Sequence, residues 1–283
     1  MCVDEHKGEG SKGVPSYLRR PYYGHMSALF FATAGKSAVG LVRAGNEDSA
    51  LTSRSIVAVA DGMGGHAAGE VASRIAITTL AKDSQVFTGK DVDIDSADDL
   101  FATSLVNIDN TISEYSKENP ELAGMGTTLS ALFLRSGRVA ALHVGDSRIY
   151  RLRGNTFEQL STDHTVIQEL LDQGSITEAD VATHPQRSVL TQVLMGDGRN
   201  QPVLSIYEAK ADDRFLLCSD GLTTVLNDKE IKSIIKAKAR GAAVDALVDA
   251  AYINGAPDNV TVIVADVLDN DIQEPLTFLG AAK

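Results

Sequence analysis

The sequence predicts an α+β fold of antiparallel sheets flanked by helices, and three observations carry that expectation. Strand-like runs joined by tight turns dominate the middle of the chain, helical patterns come in separate blocks instead of one after each strand, and no long linker or internal repeat interrupts them from Ala28 onward. With 283 residues and a hydrophobic fraction of 43 %, one sizeable core is available, and a single domain over residues 28–268 is expected.

Residues 1–27 hold glycine, charge and proline without apolar periodicity, which reads as a poorly ordered extension. Helices are expected over His66–Lys82 and over Ala97–Lys117. In the second, Phe101, Leu105, Ile108, Ile112 and Tyr115 recur at spacings of three and four, and Ser96 and Asp99 form a capping box. A third helix starts after Asn227 with Glu230 in the capping-box position, and a fourth ends at Gly255 ahead of Pro257. Strands are expected at Ile56–Ala60, Thr127–Leu134, Arg138–Val144, Arg148–Leu152, Val203–Glu208, Phe215–Cys218 and Val260–Val267, with residues 269–283 left as a C-terminal tail.

The formal charge of -12, from 38 acidic and 26 basic residues, repels phosphate backbones and anionic lipid headgroups, so neither nucleic acid nor a membrane surface is an expected partner. No stretch is apolar enough to span a bilayer. Two cysteines make no disulfide framework: Cys218 reads as a small buried thiol, and the compartment as reducing and cytoplasmic. An acidic protein that handles phosphate needs local positive charge, which bound divalent cations would supply.

Five acidic turns point to such cations. Asp61 ends an apolar run and opens Asp61-Gly62-Met63-Gly64-Gly65-His66, where the glycine lets a backbone carbonyl approach an ion beside the carboxylate. Taken alone it reads as an ordinary Asp-Gly turn. Gly145-Asp146-Ser147, Ser219-Asp220-Gly221, Pro257-Asp258-Asn259 and Asn46-Glu47-Asp48 repeat the pattern at strand ends. Carboxylates gathered on one rim repel each other unless ions lie between them. Oxygen ligands suit Mg²⁺ or Mn²⁺, and no Cys/His spacing for zinc is present. Paired ions would lower the pKa of a shared water for in-line attack on phosphorus.

In order along the chain, Arg43-x-x-Asn46-Glu47-Asp48, Asp61-Gly-Met-Gly-Gly-His66, Gly126-Thr127-Thr128, Val144-Gly-Asp146-Ser-Arg148, Thr162-Asp163-His164, Ser219-Asp220-Gly221-Leu222 and Asp258-Asn259 resemble the type 2C metal-dependent protein phosphatases, bacterial branch. The resemblance implies two antiparallel sheets stacked face to face with helices outside, a four-layer α-β-β-α sandwich. It implies that Asp61 bridges two ions, with the Gly62 carbonyl on one and Asp220 and Asp258 on the other. Glu47 and Asp48 would orient water, Asp146 with Asp220 would hold a weaker third ion, and Arg43 would grip the substrate phosphate. Residues from about 165 to 190 would be a flap, with His184 and Arg187 meeting the phosphopeptide. The implied activity is hydrolysis of phosphoserine and phosphothreonine without a covalent intermediate. Implied partners are phosphorylated proteins, a serine/threonine kinase among them, of a monomeric enzyme.

Met63 departs from the animal members, which carry histidine there as general acid; a thioether donates no proton. His66, nearby in sequence, and a metal-bound water are the two candidate acids, and His66 reads equally as a helix cap. Two rival functions remain. A phosphopeptide-binding module of the same fold would lack turnover. A dinucleotide site at Gly62-x-Gly64-x-x-Ala67 would set the Asp61 carboxylate against a pyrophosphate.

Overall fold

The computed structural model describes residues 28–64, 68–87, 97–181, 183–200, 203–270 and 272–283. The expectations on residues 1–27, His66 and Ser96 lie outside the described residues. The described residues form two sheets. The first has the order β1 (Phe30–Ala38), β11 (Val260–Leu268), β10 (Arg214–Cys218), β7 (Arg148–Arg153), β8 (Thr156–Gln159). The second runs β12 (Thr277–Gly280), β2 (Asp48–Thr52), β3 (Ile56–Met63), β5 (Leu129–Arg135), β6 (Arg138–Val144), β9 (Val203–Glu208), with β4 (Gly126–Thr127) paired to the end of β3. Every pairing is antiparallel.

Side-chain alternation along the strands stacks the layers, because successive residues leave a strand on opposite faces. Val57 and Val59 of β3 join Phe215 and Leu217 of β10 and Ile263 and Val267 of β11 in one cluster between the sheets. Their neighbours Ala58 and Ala60 turn to the opposite face, where α1 (Ala68–Phe87) and α2 (Ala97–Glu118) cover the second sheet with Ile77, Leu80, Phe101, Ile108 and Ile112. On the outer face of the first sheet, Leu216, Val262 and Val264 meet α5 (Asp220–Thr223), α6 (Asp228–Ala237) and α7 (Arg240–Ile253) through Leu222, Ile231, Ile235, Leu247 and Val248. The result is the expected four-layer α-β-β-α sandwich. Strands buried on both faces explain why their sequences read as continuous apolar runs rather than polar alternations.

Besides β2, whose five residues mix polar and apolar side chains, three strands carried too little signal to be read in advance. β1 is mostly half-buried, two phenylalanines followed by small and polar residues, β8 is a four-residue edge, and β12 lies in the stretch taken for a tail. There β12 pairs with β2, and Phe278 packs on the core beneath α1. The run expected as one strand from Thr127 is interrupted at Thr128: Gly126 and Thr127 pair with the end of β3 and Leu129 onward with both β3 and β6, while opposite Thr128 the Asp61 N–H is taken by the threonine side chain. Residues 165–190 carry α3 (Val166–Asp172) and α4 (Glu178–Val181), and the segment is closed at its base by a bridge between Thr165 and Leu190.

Candidate active site

The rim where β2, β3, β10 and β11 begin or end gathers the acidic turns. Asp48 opens β2 directly opposite Asp61 in the β2–β3 register. The Asp61 backbone is clamped on both sides: its N–H donates to Thr128 Oγ1 (3.0 Å), and its carbonyl accepts from Thr128 N (2.9 Å) and Thr127 Oγ1 (3.0 Å). Asp220 opens α5 after β10, and its carboxyl lies within hydrogen-bond reach of Asp61. Burial pushes the Asp61 carboxyl well above the carboxylate range, and the charges of Asp48, Asp220, Asp146 and Asp258 add to it. Burial, then the charges of Asp220 and Asp163, raise Asp146 to about 7. Asp48 is also raised to about 7, by burial first, against the hydrogen bonds of Thr261 and Ser219. Burial, then Asp258, raises Asp220. Burial raises Glu47, with Arg43 opposing and Asp258 and Glu70 assisting.

Loops fix these groups through residues that the acidic pattern by itself does not single out. Asn259 accepts from Glu47 N (2.9 Å) and donates to Gly45 O (2.9 Å), pinning the loop that carries Glu47. Ser219 Oγ donates to Asp48 Oδ2 (2.8 Å) and accepts from Thr261 N (2.9 Å). Ser73 of α1 donates to Glu47 O (2.5 Å), a contact with only a faint signal in sequence, the small pair Gly69 and Ser73 one helical turn apart. A Cβ on Gly62 would lie 2.1 Å from the Gly69 carbonyl oxygen and 2.5 Å from the Glu47 carbonyl oxygen, so close backbone packing requires glycine here in addition to any approach of an ion. Arg148 holds Asp163 with two parallel bonds (Nε–Oδ1 2.9 Å, Nη2–Oδ2 2.7 Å).

Arg43 is half-exposed and donates through Nη2 to Asp258 Oδ2 at 2.5 Å, facing Glu47 and Asp61 as well. Among the described residues no three acidic, histidine or cysteine side chains form a ready cage for an ion. Asp258 turns to Arg43 and Asp48 to Ser219, so the carboxylates share a rim and one another's charge rather than a common point. Their chemistry nevertheless fits hard divalent cations. Every donor is oxygen, Asp48 Oδ1 is buried without a partner, and the carboxyls are raised first by burial and then by one another's charge, both of which a cation would offset. His66 lies outside the described residues. His184 sits in the exposed loop after α4, where its Nδ1 accepts from Gln186 N (3.2 Å).

Residues 45–245 match the family described as Protein phosphatase 2C. The serine/threonine protein phosphatase PstP of Mycobacterium tuberculosis is 41 % identical over 257 residues, covering 90 % of this chain and 48 % of that protein, so the chain spans about half that relative's length. The serine/threonine phosphatase Stp of Listeria welshimeri is 34 % identical over 233 residues, covering 80 % of this chain and 92 % of that one. Among solved structures, the catalytic domain of a PstP in complex with two manganese ions matches with a TM-score of 0.78 and 37 % identity, covering 85 % of this chain and 100 % of the other.

Proposed function

The chain belongs to the protein phosphatase 2C family, and from that premise we propose that it hydrolyses phosphoserine and phosphothreonine esters of proteins at the rim built around Asp61. The observation that carries this reading is the burial of Asp61 among Asp48, Asp146, Asp220 and Asp258, an arrangement that repels itself unless cations share it. Asp61, the Gly62 carbonyl, Asp220 and Asp258 would hold two ions, and Asp146 with Asp220 a weaker third. Mn²⁺ or Mg²⁺, when bound, would supply the positive charge and Lewis acidity that phosphoester hydrolysis needs on an acidic surface.

The chain's own residues do the rest. Arg43, which donates to Asp258, would bind phosphate oxygens through its guanidinium, a geometry it suits, with Asp258 among the residues that would hold an ion. Glu47 and Asp48, fixed by Asn259 and Ser219, would orient water by accepting its protons. Met63 cannot protonate the leaving oxygen, which leaves His66 or solvent to do so. The substrates would be phosphorylated proteins, a serine/threonine kinase among them, met by a monomer in the cytoplasm. Among the described residues no helix is long and apolar enough to cross a membrane.

Phosphate release from a phosphothreonine peptide tests the reading. Turnover should require Mn²⁺ or Mg²⁺, stop with chelator and return when the ion is restored. Undiminished turnover after chelation removes the cation-based mechanism, and peptide binding without phosphate release favours the binding-module alternative.

A further inference from the structure

Between β1 and the loop that carries Glu47 the chain makes a tight turn, in which Arg43 N donates to the Gly40 carbonyl (3.2 Å) and Leu41 and Val42 are the central residues. Such positions stand in water and ordinarily go to proline, glycine, asparagine, aspartate or serine, which preset the turn or bond to it. Here they hold leucine and valine, 61 % and 74 % exposed. Neither side chain is needed to shape the turn, because the backbone around it is already fastened. Leu41 N donates to the Ala256 carbonyl (2.8 Å), and the Tyr252 hydroxyl of α7 donates to the Val39 carbonyl. Gly40 lies so close to the backbone of Asp258 that a Cβ there would stand 2.3 Å from the Asp258 carbonyl oxygen. Val39, just before the turn, and Ile253, the last residue of α7, are exposed as well, so apolar side chains stand in water on both of the segments that these bonds join.

The next residue is Arg43, whose guanidinium meets Asp258 at the rim. Taking Arg43 as the phosphate-binding group of the proposed function, we infer that Leu41 and Val42 form a docking ledge for the substrate: a phosphoserine or phosphothreonine segment with a large apolar side chain within about three residues of the phosphorylated one, roughly 10 Å of extended chain. The occupant follows from continuity with the rim, since a peptide whose phosphate is held by Arg43 passes over the turn that ends in Arg43. Its chemistry follows from the ledge. Leucine and valine side chains offer no donor, acceptor or charge, so only an apolar group gains by displacing the water on them. The fastened backbone has little freedom left to lose when that group lands, which keeps the cost of docking low.

Phosphothreonine peptides of equal length and charge, with leucine or serine at each of the three positions on either side of the phosphothreonine, are the probes, offered to the full chain in Mg²⁺. Leucine at one or more of these positions should raise kcat/KM about tenfold over serine. The gain should lie in KM with kcat unchanged, because an apolar contact away from phosphorus binds ground and transition states alike. Leu41→Ser combined with Val42→Ser, which puts a turn-favouring residue at both positions, should bring the leucine-to-serine ratio to about one, and Val42→Ser alone should lower it part of the way. Equal kcat/KM for leucine and serine at every position in the unaltered chain would overturn the ledge, and so would a leucine preference that the serine variants keep. Peptide affinity, read by fluorescence anisotropy on the same chains, separates this inference from the reading beneath it. If no peptide releases phosphate, the phosphatase reading fails, and the leucine-to-serine ratio of Kd values decides the ledge by the same two outcomes.

Discussion

At the scale of single residues, Asp61 illustrates how one carboxylate serves opposite ends. Burial against four others makes it costly in the cation-free chain, and in the proposed reading it is the group that the cations would need most. Replacing Asp61 with Asn keeps the shape and removes the charge. Phosphate release should fall by several orders of magnitude, as expected when ions of a paired site are disturbed together, whereas the melting temperature without metal should rise. Calorimetry and peptide turnover on the same preparation check both signs, and a variant of near-normal activity would displace Asp61 from the centre of the site. The same repulsion sets a pH dependence. Asp48 and Asp146 have folded-state values of about 7 against 3.8 ordinarily, so between those values the folded chain binds more protons than the unfolded one and stability falls as pH rises. His143, lowered to about 4 by burial and the nearby His164, acts in the opposite sense between about 4 and 6.5. In the proposed reading Mg²⁺ would stand in for the carboxyl protons and leave His143 untouched. Melting curves from pH 4 to 8 should therefore show a metal-free loss of stability that saturating Mg²⁺ flattens; identical slopes would mean that the ions bind elsewhere.

At the scale of elements, legibility followed periodicity. α6 was readable at both levels, from Asn227 and Glu230 at its start and from its apolar face, and its structure has the full reciprocal box: Asn227 Oδ1 accepts from Glu230 N (3.2 Å) and Glu230 Oε2 from Asn227 N (2.9 Å). Asn227→Ala should cost about 1 kcal/mol by denaturant titration, the ordinary value of an N-cap, with turnover unchanged because α6 lies on the outer layer. A loss beyond that range would show that Asn227 holds more than its helix. α3 had a comparable signal, Thr165 followed by Gln168, whose N–H the threonine accepts at 3.1 Å. It is only seven residues long with one buried side chain, too short to show a period. β8 and β12 are likewise four-residue edges whose partners alone make them strands.

At the scale of the whole molecule, the cluster between the sheets holds the two halves of the rim in place, since Asp48 and Asp61 come from one sheet while Asp220 and Asp258 flank strands of the other. Phe215 is fully buried there and meets Phe31 edge-on at 6.0 Å between ring centroids. Phe215→Ala should destabilise by ~3–5 kcal/mol, the range for an aromatic removed from a core. Well below its lowered melting point the variant should still bind Mn²⁺, but more weakly, because the sheets that present the ligands lose a spacer between them. Unaltered Mn²⁺ affinity together with lost stability would mean that the rim is held by its loops alone.

By itself the sequence determined the fold class, most strand positions, the long helices and the set of acidic turns, because each is written in a local period, cap or dipeptide. Tertiary structure alone decided what surrounds those turns. That Asn259 pins Glu47, that Ser219 holds Asp48, that a Cβ on Gly62 would meet a helix, and that the His143 and His164 rings lie 4.9 Å apart are relations between segments apart in the chain. No local pattern encodes them, since hydrogen bonding and burial at such points depend on which surfaces the stacked sheets bring together.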